Sequence, residues 1–255
     1  MLNLKIDKIN VAQLSEFISS VISISEFVYM RIIGDELIST CYLPQKDAVK
    51  QHRANLNDVF TFSSDFSKIE SKVVKVAFFD GIKVLKALSH FSGKEISGIL
   101  TLSEEDESYT GSSLMLVSDN LTIELACAEP TLGFTDIPED KLNGILSANN
   151  YKFNFTLEHE MINKLKSLFK LESDKDTFKV HLKDNKVNII GNMYNIAAAD
   201  VDSLNTTSEY ETTLYKKYIS LLGKYNYKTS VCENKLVFES PDKNTTLTVA
   251  VCEEN

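Results

Sequence analysis

One succession of elements, strand, helix, strand, strand, recurs four times along this chain of 255 residues. A unit of this kind cannot bury its apolar face alone and must pack against its own copies, so the repeat narrows the possible folds more than composition does. In the first unit Leu4 to Ile9 reads as a strand and Val11 to Ser23 as an amphipathic helix; Phe27 to Ile33 and Glu36 to Leu43 read as strands about the turn signal Gly34-Asp35. The second has Lys72 to Phe79, a helix over Asp80 to Phe91, Glu95 to Ser103, and the pair Leu114 to Val117 and Leu121 to Cys127. The third runs through Tyr151 to Leu157, a helix over Glu158 to Leu171, Thr177 to Lys183, the turn Asp184-Asn185, Lys186 to Ile190 and Ile196 to Val201. The fourth holds Tyr210 to Leu214, a helix over Tyr215 to Tyr225, Tyr227 to Cys232, Lys235 to Glu239 and Thr245 to Cys252. Helices separated by hairpin-linked strands specify an α+β class, with antiparallel sheets and the helices on one face, rather than a parallel doubly wound sheet.

A connector separates units two and three. Glu129 to Asn150 contains Pro130, Gly133, Pro138, Gly144 and the charged group Glu139-Asp140-Lys141. The expected organisation is an N-terminal domain over 1–129, a connector over 130–150 and a similar C-terminal domain over 151–255.

With 43% apolar and 25% charged residues the composition is that of a globular protein. The start, Met1-Leu2-Asn3-Leu4-Lys5-Ile6-Asp7, lacks the apolar run of a signal peptide, and no later stretch reaches the ~18 apolar residues of a spanning helix. No membrane partner is therefore expected; the expected compartment is the cytoplasm, a host's if the chain is viral, or the nucleus if it is eukaryotic. Cys41, Cys127, Cys232 and Cys252 are scattered without a CxxC pair, which argues against disulfide and zinc frameworks and for small buried side chains.

Helical projection sorts charge from core. In the second helix Val84, Leu85, Leu88 and Phe91 oppose Lys83, Lys86 and His90. In the third, Met161, Ile162, Leu165, Leu168 and Phe169 oppose Asn163, Lys166, Ser167 and Lys170; in the fourth, Tyr218, Ile219, Leu222 and Tyr225 oppose Lys216, Lys217, Ser220 and Lys224. The first helix departs from this, presenting Gln13, Glu16, Ser19 and Ser20 opposite Leu14, Phe17, Ile18 and Val21. On a chain of formal charge −9, three lysine faces point to a polyanion, and DNA is the candidate. Arg31 and Arg53, the only arginines, lie off these faces, so the bidentate fork that reads guanine is scarce. Lysine attracts phosphate without fixing register, which suits loose, sequence-blind contact.

In length, acidity and fourfold repeat the chain resembles the DNA polymerase sliding clamps of the trimeric, two-domain class, which includes proliferating cell nuclear antigen and the clamps of large tailed phages. Its connector adds a local likeness to the Leu-Gly-Ile-Pro-Glu of the nuclear-antigen branch: Leu132-Gly133 and Ile137-Pro138-Glu139 stand in that order, split by Phe134-Thr135-Asp136. The resemblance implies a homotrimeric ring lined by twelve helices. Such a ring is a processivity factor that tethers a DNA polymerase to duplex DNA and is opened by a clamp loader ATPase. It places Lys83, Lys86, Lys166, Lys170, Lys216, Lys217 and Lys224 toward the hole, and Val49, Leu132, Phe134, Ile137 and Val251 in an apolar pocket for partner peptides. Leu121 to Cys127 and Ile196 to Asp200 become the candidate subunit-joining edges. The competing reading is a non-ring β-rich processivity factor or adaptor.

Catalytic motifs are missing. His159-Glu160 opens like HExxH, but Asn163 holds the second histidine's place. No Walker loop or GxSxG occurs, and Glu104-Glu105-Asp106-Glu107 reads as a solvated loop. No enzyme activity, metal or cofactor is expected.

Overall fold

The computed structural model describes residues 1–63, 66–67, 69, 71–132, 137–172, 174–205 and 209–252. They form two units, one from 1–41 with 51–137 and the other from 42–50 with 138–255.

The first unit begins with β1 (Leu2–Ile9), α1 (Val11–Ile22), β2 (Val28–Ile33) and β3 (Glu36–Tyr42). β4 (Ala48–Asn55) belongs to it from Gln51 onward, and it continues through α2 (Leu56–Val59) and β5 (Phe60–Phe62) to β6 (Val73–Phe78), α3 (Gly81–Ser89), β7 (Ile96–Glu104), β8 (Ser108–Ser118) and β9 (Leu121–Ala126). In β1, Leu4 and Ile6 alternate inward opposite Leu100 and Gly98 of β7. Ile9 is also buried although it lies an odd number of residues from Ile6, because the register slips between them. Such a bulge restores an inward direction after two outward residues.

Each principal helix of this unit starts at a side-chain cap. Asn10 accepts from the Gln13 N–H at 3.3 Å, and Asp80 from the Lys83 N–H at 2.8 Å. Leu14, Phe17, Ile18 and Val21 of α1 and Val84 and Leu88 of α3 are buried, as the helical period requires. The helices approach closely at Gly81, where a Cβ would run into the Ile22 and Val28 side chains.

The second unit comprises α4 (Glu139–Leu146), β10 (Phe153–Leu157), α5 (His159–Leu171), β11 (Thr177–Lys183), β12 (Lys186–Ile190) and β13 (Asn195–Leu204). It ends with β14 (Glu209–Tyr215), α6 (Lys217–Ser220), β15 (Tyr227–Val231), β16 (Lys235–Glu239) and β17 (Thr245–Ala250). Asp184 and Asn185, with φ of 51° and 60°, close the β11–β12 hairpin in the left-handed conformation that matches strand twist. Phe153, Phe155, Ile162, Leu165, Tyr218, Tyr227 and Phe238 fill the core.

The class is α+β with largely antiparallel pairing, as expected; the pairing of Val73 with Ser108 between β6 and β8 is parallel. The structure departs from the sequence reading in several elements: residues 48–62, read as no element, hold β4, α2 and β5. β4 is absent from that reading because Lys50, Gln51 and His52 are buried polar residues that erase the alternation. The connector holds α4, whose Leu142 is buried.

The fourth long helix is a single turn, a correction to Tyr215 to Tyr225. The Leu221 and Leu222 N–H groups bond three residues back, to the Tyr218 and Ile219 carbonyls, and Gly223 follows. The Leu221 and Leu222 carbonyls accept instead from Lys50 Nζ (3.4 Å) and Lys166 Nζ (3.0 Å). Ammonium groups thus end the helix where further N–H groups would have prolonged it.

Gly81→Ala is expected to lower stability by about 1–3 kcal/mol, since the added methyl overpacks the α1–α3 contact. A drop in the urea midpoint at unchanged slope checks this.

Candidate nucleic-acid interface and peptide groove

The lysine faces divide by environment. Lys83 and Lys86 on α3, Lys170 near the end of α5, and Lys224 beyond α6 are exposed. Lys164, which the projection passed over, is also exposed on α5. The other three candidates have internal partners.

Lys166 is half-buried against the Leu222 carbonyl, and that burial lowers the pKa of its ammonium. Lys216 forms an ion pair with Glu172 at 2.9 Å, the two side chains being only 11% and 2% exposed. The same ammonium donates to the Glu172 carbonyl at 2.8 Å and lies 5.6 Å from the Phe169 ring centre. Burial alone would raise the Glu172 carboxyl, but Lys216 and the Met193 and Asn192 N–H groups hold it below its usual value. Lys217 keeps a 42% exposed side chain, yet its ammonium sits 2.6 Å from Asp47 Oδ2 and over the Tyr215 and Tyr218 rings. The Tyr218 hydroxyl donates to that same carboxylate oxygen at 2.9 Å. Burial raises the Asp47 carboxyl and these two donors lower it further, so its pKa ends below normal.

A groove of about 540 Å³ opens in the second unit between α4, β17 and residues 46–49. Ala48, Val49, Ile145 and Ala250 give it apolar walls, with Lys46, Asp47, Lys141 and Lys235 among them. Residues 42–50 are held in this unit by the Ala250 N–H donating to the Asp47 carbonyl at 2.8 Å. Lys235 Nζ donates to the Gly144 and Ile145 carbonyls at 2.8 and 2.9 Å, and the Thr248 hydroxyl to Ile145 at 3.2 Å. These bonds pin the C-terminal turn of α4 beside the groove.

Of the pocket residues expected from sequence, Val49 lines this groove; Val251, half-buried, follows the lining residue Ala250. Leu132 is 69% exposed and Ile137 half-buried; neither lines it. Phe134 lies outside the described residues. The sequence signal for α4 was Pro138 followed by Glu139 and Asp140, a proline and two acids at a helix start, offset by Gly144 inside it.

The remaining polar candidates have local partners. His159 Nε2 lies 2.9 Å from Asn163 Nδ2. Glu104 pairs with Lys72 at 2.9 Å, and Glu105 accepts from the Ser108 and Thr110 hydroxyls. Among the described residues no cluster of His, Cys, Asp and Glu could hold a metal, and no helix is long and apolar enough to cross a membrane.

No protein-family model and no curated protein matches the sequence. Solved structures do match the fold. A proliferating cell nuclear antigen (PCNA) from Entamoeba histolytica aligns with a TM-score of 0.67 at 15% identity over 98% of both chains. A. fulgidus PCNA, solved bound to the C-terminal region of FEN-1, aligns at 0.64 and 14% identity over the whole of both chains. The DNA polymerase III subunit beta of Pseudomonas aeruginosa aligns at 0.64 and 9% identity, covering all of this chain and 65% of that one. The chain therefore has the fold of the DNA sliding clamps.

Glu172→Gln leaves the Lys216 ammonium without its counter-charge. Removing one partner of a buried pair costs about 3–5 kcal/mol, so a lower thermal midpoint at neutral pH is expected. Because the folded Glu172 pKa lies below the ordinary glutamate value of 4.5, its contribution is present above that pH and lost as pH falls through the lowered pKa. The variant should accordingly show a flatter decline of stability on acidification, measured by melting from pH 7 downward.

Proposed function

We propose that the protein is a DNA polymerase processivity factor, a homotrimeric sliding clamp that encircles duplex DNA without reading its sequence. The observation that carries this reading is the state of the strand edges. Within the second unit the Ala250 N–H of β17 donates to the Asp47 carbonyl, next to the start of β4, so β17 and this part of β4 are not open edges. The repeat makes β9 and β13 their counterparts. Among the described residues β9 pairs only with β8, and Asn195–Asp200 of β13 only with β12. Joining β9 of one copy to β13 of the next is a head-to-tail contact, the kind that generates rings when the rotation closes. The exposed Phe79, just before α3, and Ile82, in its first turn, supply apolar surface to the same joint.

Coverage of 98–100% of two PCNA chains supports the two-domain, three-copy class over the bacterial beta subunits, of which this chain spans about two thirds. Lys83, Lys86, Lys164, Lys170 and Lys224 are the residues assigned to phosphate contact. Lys166, Lys216 and Lys217 serve first within the protein, with Lys217 alone exposed enough to exchange Asp47 for a phosphate. In this role the chain performs no chemistry. It acts as a tether, with a clamp loader ATPase opening the ring and a polymerase peptide seated in the groove beside α4.

Light scattering at micromolar concentration is expected to give three times the 28.7 kDa chain mass. A monomer that also fails to be retained on nicked circular DNA after a loader reaction favours the non-ring adaptor instead. Replacing Lys83, Lys86, Lys170 and Lys224 with Glu should leave that mass unchanged and reduce retention on circular DNA about tenfold or more at low salt.

A further inference from the structure

The groove beside α4 bears a charge that the rest of the molecule opposes. The chain carries −9, yet Lys46 and Lys141 present exposed ammonium groups at the groove, and neither has a partner among the described residues. The other charges in the lining are already committed. Asp47 is neutralised by Lys217 at 2.6 Å and by the Tyr218 hydroxyl at 2.9 Å. Lys235 is turned onto the Gly144 and Ile145 carbonyls. What remains for an occupant is an apolar floor of Ala48, Val49, Ile145 and Ala250 with two free positive charges. Lys46 stands on a fixed turn, with φ of 59° and its N–H on the Leu43 carbonyl at 2.8 Å, so its backbone position is set before binding.

Resting on the reading of this groove as a partner-peptide site, we infer that it selects peptides whose apolar anchor is flanked by carboxylates, with Lys46 and Lys141 as the specificity-determining residues. The apolar walls take the anchor and supply most of the affinity. The lysines discriminate between flanks: an acidic flank meets complementary charge and a basic flank meets repulsion. Each exposed ion pair contributes little alone, so two of them give about three- to tenfold preference, falling with salt.

The experiment uses the full-length chain and two fluorescein-labelled peptides sharing a Phe-Phe anchor, one flanked by Asp-Asp on both sides and its twin by Lys-Lys. Fluorescence anisotropy at about 50 mM and about 300 mM salt reads both affinities. The acidic peptide should bind about three- to tenfold tighter at the lower salt, and the exposed double substitution Lys46→Glu/Lys141→Glu should abolish or reverse the order. Equal binding of the twins, or an order untouched by the double substitution, overturns the charge assignment while leaving the groove standing. Ile145→Glu separates the two ideas: it changes the half-buried groove wall and is checked for folding by its melting curve. If a folded Ile145→Glu variant binds both peptides as before, or if neither peptide binds the unmodified chain, the groove reading itself falls and the inference with it.

Discussion

An antiparallel sheet must dispose of its edges, and the organisation of this protein follows from how it does so. An unpaired edge exposes a row of N–H and C=O groups that will take another strand. Here one edge is closed within the second unit, where Asp47, in the stretch 42–50 that belongs to it, accepts from Ala250. The fourfold repeat supplies a second pair of edges of the same kind, on β9 and on Asn195–Asp200 of β13, each paired on one side only among the described residues. The assembly proposed above is the continuation, between copies, of a contact the chain already makes once.

The lysines show how tertiary structure redistributes a charge pattern. A helical face in projection assumes that a helix continues and that its outer side is solvent. On α3 both assumptions hold, and Lys83 and Lys86 stand in water. Around α6 they fail together. The helix stops after one turn, its terminal carbonyls recruit Lys50 and Lys166, and Glu172 draws Lys216 into a buried pair. Caps and counter-ions in a low-dielectric interior hold a lysine more strongly than a mobile phosphate atmosphere does.

Much of the fold was legible because it depends on local periodicity. Alternating strands such as β7 and β11 and the buried stripe of α1 follow directly from period two and period 3.6. The readings that failed involve long-range partners. β4 hides its strand character because Lys50, Gln51 and His52 are buried with polar partners such as the Leu221 carbonyl and the Thr40 hydroxyl, and with the Phe17 ring beside His52. In the candidate site, Val49, named through the family resemblance, lines the groove. Lys46, Lys141 and Ile145 were missed, because their convergence depends on α4 lying over β17.

The sequence by itself determined the α+β class, the fourfold order of elements, the acidic surface with its lysine-bearing helices, and the scarcity of arginine. These follow from residue type and spacing within a dozen positions. Only the tertiary structure decided which lysines remain available, where α6 ends, and that a groove forms between α4 and β17. Each of those outcomes depends on a partner far along the chain, and whether an ammonium group faces solvent or a buried carboxylate is a property of the packed molecule rather than of its neighbours in sequence.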